Sequence, residues 1–100
     1  MTALADWLDR HTGAAPPALR ARVYEQALAG PAEPVPEALA LAGRAALERV
    51  AAHAGDRSVA LDLLAADALI TLALLAQAQR APAELGAFAT SILQAVRPGT

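Results

Sequence analysis

From residue 59 to residue 78, apolar side chains turn through every direction of a helix. At about 100° per residue, Leu61, Leu63, Leu64, Leu69, Ile70, Leu72, Leu74 and Leu75 are spread round the circumference instead of forming one stripe. A helix that lacks a polar side is expected to be surrounded by protein. The segment from about 58 to 80 is therefore predicted as the central, buried helix of a compact all-α bundle, with Asp67 drawn inside among leucines.

The remaining periodic stretches are one-sided. Thr2 is placed to cap a short first helix reaching Arg10, on which Leu4, Trp7, Leu8 and His11 share one face and Asp6, Asp9 and Arg10 the other. A second helix is predicted from Pro16-Pro17 to Ala29, because a first helical turn leaves an N–H unused and tolerates proline. Its inward side is read as Leu19, Val23, Tyr24, Ala27 and Leu28. A third, from about Pro36 to Ala54, sets Leu39, Gly43, Ala46, Leu47, Val50 and Ala54 against Glu37, Arg44 and Glu48. Arg44 and Glu48 there form an i,i+4 pair. The fifth, Pro82 to Val96, gathers Leu85, Phe88, Ala89, Ile92, Leu93 and Val96 on one face.

Breakers separate these stretches. Gly13 ends the first helix, and the three prolines Pro31, Pro34 and Pro36 after Gly30 make a stiff linker. Gly55 breaks the third helix, and Asp56 or Ser58 is expected to cap the fourth. Arg80 sits at the carbonyl end of its dipole, and Pro98 stops the fifth. The plan is four longer helices and a short amino-terminal one in a single domain over residues 1–100, with short connections that favour antiparallel neighbours.

Composition sharpens this picture. Hydrophobic residues make up 56% of the chain but aromatics only 3%, so the core must be built from leucine and alanine, which suits closely packed helices and not strands. A net charge of −2 with dispersed arginines offers no footprint for a phosphate backbone, and nucleic-acid binding is not expected. Cysteine is absent, which removes disulfides and thiolate metal sites and fits a cytoplasmic location. The acidic start, Met1 to Trp7, is unlike a signal peptide. Residues 59–78 approach membrane-spanning length, but two carboxylates and the Gln77, Gln79, Arg80 end are read as a soluble core helix.

Few residues suggest chemistry. Asp67, with Thr71 one turn later, is expected to be sequestered and to be satisfied there by a hydroxyl, a helix terminus or an arginine. Asp62 is roughly 140° away round the helix, so the two aspartates form no dyad, and a salt-bridged or solvated role is expected for it. His11 and His53 lack zinc-helix spacing and are read as capping or edge-packing residues. No metal site, cofactor or catalytic motif is expected, and no enzyme.

Residues His11 to Arg22 resemble the His-x3-Cys-x2-Cys segment of zinc-binding anti-sigma factors, whose helices also flank such a turn. Ala15 and Ala18 stand at the two cysteine positions, so neither zinc nor sigma-factor binding carries over. Leu63 to Leu69 resembles a core helix of the all-α isoprenyl diphosphate synthases, without their Asp-rich magnesium motifs.

The function expected from these observations is non-catalytic association, with a second copy of the chain as first choice. A short first helix covers little of a fully apolar fourth one, and a homodimer would close the gap. The small-residue sides, with Gly43, Ala66 and Ala73, and the neighbouring Asp62, are the expected interface. The alternative is a binder of an apolar small molecule held between helices, with Asp67 and Thr71 as its polar anchors.

Overall fold

A computed structural model describes residues 3–53, 55, 57 and 59–96, apart from the side chains of residues 95 and 96. The architecture is all-α: α1 (Ala3–His11), α2 (Pro17–Ala27), α3 (Val35–Ala52), α4 (Val59–Arg80), a 3₁₀ turn over Pro82–Glu84, and α5 (Leu85–Val96). The expected caps at Thr2, Asp56 and Ser58, the end of the third helix at Ala54 and the stop at Pro98 lie outside the described residues.

Prolines stand in the first turn of three of these elements, where the missing N–H removes no helical bond. The start of the fifth segment tightens into 3₁₀ geometry before the α-helix proper begins. Two helices end on their own side chains. Thr12 donates from its hydroxyl to the Leu8 carbonyl at 2.7 Å, and His53 Nδ1 lies 2.9 Å from the Arg49 carbonyl, to which it donates. Beyond α3 the chain turns at Gly55 with φ of 96°, a left-handed conformation that a Cβ would strain.

The core consists largely of alanine. Leu4, Trp7 and Leu8 of α1, Val23 and Ala27 of α2, Ala38, Leu39 and Ala46 of α3, and Ala65, Ala66, Leu69, Ala73 and Ala76 of α4 form one buried cluster. Side chains this small let helix axes approach closely. α3 approaches α4 closely at Gly43, where a Cβ would lie 2.7 Å from Ile70 Cδ1 and 3.3 Å from the Ile70 backbone nitrogen. The inward faces expected for α1 and α3 are the buried ones, with Leu47 and Val50 at the edge. On α2, Gln26 is buried and Leu28 is exposed, a small rotation from the expected face.

α4 is the hub, packing against α2, α3, α5 and the 3₁₀ turn. Its central position agrees with expectation; its enclosure does not. Leu63, Leu64 and Leu75 are 50%, 56% and 41% exposed, and Asp67 and Thr71 between them are exposed too. The reason is geometric: a cylinder is fully ringed only by roughly six others of its own width, and a body of 38 × 35 × 21 Å has too few helices for that. α4 buries the arc running through Ala65, Ala66, Leu69, Ala73, Ala76 and Gln77, and turns the opposite arc outward.

Candidate interaction surface on the fourth helix

Polar side chains hold α4 in this orientation from both flanks. Near its start, Asp62 Oδ1 accepts from Arg22 Nη1 at 3.0 Å and from Gln26 Nε2 at 3.1 Å, which ties α4 to α2. Asp62 is thus salt-bridged, as expected, but to its own chain. Near its end, Gln79 Oε1 accepts from Trp7 Nε1 at 3.1 Å, while Gln79 Nε2 lies 3.1 Å from His11 Nε2. His11 Nδ1 is 2.8 Å from the Trp7 carbonyl, and a carbonyl can only accept. The proton is therefore on Nδ1, and Nε2 accepts from the Gln79 amide. The His11 and Trp7 rings stack with centroids 4.0 Å apart, and α1 is clipped to the end of α4. Both histidines cap or pack at a helix end.

A further clasp closes the α1–α2 hairpin. Tyr24 donates to Asp9, Arg20 pairs with Asp9 at 3.6 Å, and Arg20 Nε donates to the Thr12 hydroxyl at 3.2 Å. Arg80 pairs with Glu37 at 3.6 Å, and the expected Arg44–Glu48 pair is present at 3.8 Å. Among the described residues, no three His, Asp or Glu side chains converge as metal ligands would.

With these ties in place, the outward side of α4 presents Leu63 and Leu74 on one side of Asp67 and Thr71, and Leu64 and Leu75 on the other. The expectation that Asp67 is sequestered is corrected: its side chain is exposed, and among the described residues no hydrogen bond or ion pair reaches it. Its position directly opposite the buried Leu69 explains this, because the helix turns its most polar mid-segment residues toward water once one side must be exposed. Asp67 and Thr71 line the rim of an open depression of about 270 Å³, shared with Thr12, Leu19, Arg20 and Val23.

The predicted interface residues are also relocated. Ala66 and Ala73 are fully buried in the core, and Gly43 is covered by Ile70. Small residues do mediate close helix approach here, but within the chain. What the sequence reading missed was the open leucine flank. A signal for it was present, since Asp67 and Thr71 are one turn apart and a shared polar position marks the side that faces water.

By length and composition α4 is also apolar enough to cross a membrane, with a mean hydropathy of 2.1 over an 18-residue window. No family model, curated protein or solved structure matches this chain.

Proposed function

We propose that this protein is a non-catalytic self-association module whose working surface is the open flank of α4. One observation carries the reading: Leu63, Leu64 and Leu75 are about half exposed on a single helix side, flanking a carboxylate that has no partner among the described residues. Grouped exposed leucines of this kind mark association surfaces, whereas scattered ones do not. Covering half a leucine is worth about 1 kcal/mol. The three half-exposed leucines of each copy, six in the pair, together contribute about 6 kcal/mol, which offsets an association cost of several kcal/mol.

Asp67 near the middle of the flank favours a protein partner in water over a lipid one, since a carboxylate in hydrocarbon is costly. The small-molecule alternative has weaker support. The depression beside Asp67 and Thr71 is open and carries Arg20 on its rim, and it is smaller than the roughly 300–1,000 Å³ usual for ligand sites.

Sedimentation equilibrium over about 1 to 100 micromolar tests this reading. The mean mass should rise from 10.2 kDa toward twice that value. Leu64→Glu should remain helical by circular dichroism and stay monomeric throughout. A single 10.2 kDa species over the whole range overturns the proposal.

A further inference from the structure

We infer that two copies pair through α4 in antiparallel fashion, across a two-fold axis that passes opposite Leu69, with Asp67 of each copy accepting a hydrogen bond from Thr71 of the other. This rests on the self-association reading above and adds the geometry of the pair.

The outward seam of α4 runs Ala60, Leu64, Asp67, Thr71, Leu74, Ala78, and none of the six is buried. The intervals are four, three, four, three and four residues, the spacing of a seam that two helices share. The seam also reads the same from either end: alanine, leucine, polar, polar, leucine, alanine. Leu63 and Leu75, which flank it, are placed symmetrically as well, six residues either side of Leu69. A two-fold axis demands a surface complementary to itself, and a palindromic seam meets that demand only when the helices run in opposite directions.

In that register Leu64 lies level with Leu74 of the other copy, Ala60 with Ala78, and Asp67 with Thr71. The polar level then has one acceptor and one donor on each side of the axis, and Asp67, which has no donor among the described residues of its own chain, gains one. A parallel pair would set Asp67 against Asp67, and like charges facing each other across a seam oppose association. The aspartate therefore selects the antiparallel arrangement, as single polar seam residues do in coiled coils. From Ala60 to Ala78 the contact is about 27 Å long.

The absence of cysteine from the chain allows a clean test. Leu64→Cys and Leu74→Cys proteins are prepared separately and treated with a short bismaleimide, alone and mixed. In the antiparallel pair each cysteine is about 15 Å along the helix from its own copy, so neither protein links to itself, and the mixture gives a covalent dimer. Uncoupled Asp67→Ala and Thr71→Val proteins should each weaken dimerisation several-fold, and the double variant no further than the worse of the two. A dimer whose single-cysteine proteins link to themselves, or whose mixture does not link, overturns this geometry and leaves self-association standing. A monomer at every concentration overturns both, as does a monomer that floats with phosphatidylcholine vesicles.

Discussion

Ile70 of α4 is packed directly over Gly43 of α3, so closely that a methyl group at the glycine would meet Ile70 Cδ1 at 2.7 Å and Cγ1 at 3.0 Å. In an open helix, glycine to alanine gains about 1 kcal/mol of helix propensity. Here the isoleucine must change rotamer and the backbone behind it must yield. Gly43→Ala is therefore expected to lower stability by about 1 kcal/mol in urea denaturation. In an Ile70→Val background, which lacks Cδ1, the same change should cost less, because only the contacts to Cγ1 at 3.0 Å and to the backbone nitrogen at 3.3 Å remain. Additive effects of the two substitutions would show that the contact does not limit helix approach.

Asp62 holds two groups of α2 at once, Arg22 at 3.0 Å and the buried Gln26 at 3.1 Å. Asp62→Ala leaves the Gln26 amide without its acceptor, and since the Gln26 Oε1 atom is already unsatisfied, the site has no spare partner. A loss of about 2 kcal/mol is expected. Arg22→Ala should cost less, about 1 kcal/mol or below, because the arginine side chain is 32% exposed and its pairing is partly screened. Equal losses for the two variants would place the weight on the ion pair instead of on Gln26.

Gln79 serves the two rings of α1 through the two ends of its amide. Gln79→Leu removes the acceptor of Trp7 and the donor to His11 together, and about 1 kcal/mol should be lost. Trp7 is the only tryptophan, so its fluorescence reports on α1 directly. In Gln79→Leu its transition should come at lower denaturant than the loss of helicity. Coincident transitions would show that α1 unfolds with the rest of the bundle whether clipped or not.

Asp67→Asn, measured at a concentration below that of self-association, should change stability by no more than about 0.5 kcal/mol, the usual effect of an exposed and unpartnered site. A loss of several kcal/mol under those conditions would mean that the carboxylate is held inside the monomer after all.

Helix positions were readable from local patterns. Prolines at first-turn positions and the break at Gly55 set the limits of the helices to within a residue or two, except at the start of α5, where a 3₁₀ turn came first. Leu4, Trp7 and Leu8 on α1, and Leu39, Gly43 and Ala46 on α3, were identifiable as inward because polar residues oppose them on the same helix. On α2 the apolar stripe is mixed with polar residues, and which of Gln26 and Leu28 was buried depended on where Asp62 stood on another helix.

Local sequence thus determined that the chain is helical, where each helix runs, and which side of the amphipathic ones faces inward, because propensity, proline and glycine geometry and hydrophobic spacing act over a few residues. It could not determine the burial of α4. An all-round apolar helix carries no internal marker of its covered side, and that choice falls to the number and width of the helices that pack on it. Only the tertiary structure decided that Ala66, Leu69 and Ala73 lie beneath the other helices, leaving Leu64, Asp67 and Thr71 in water, since α2, α3, α5 and the 3₁₀ turn together cannot encircle a helix of their own diameter.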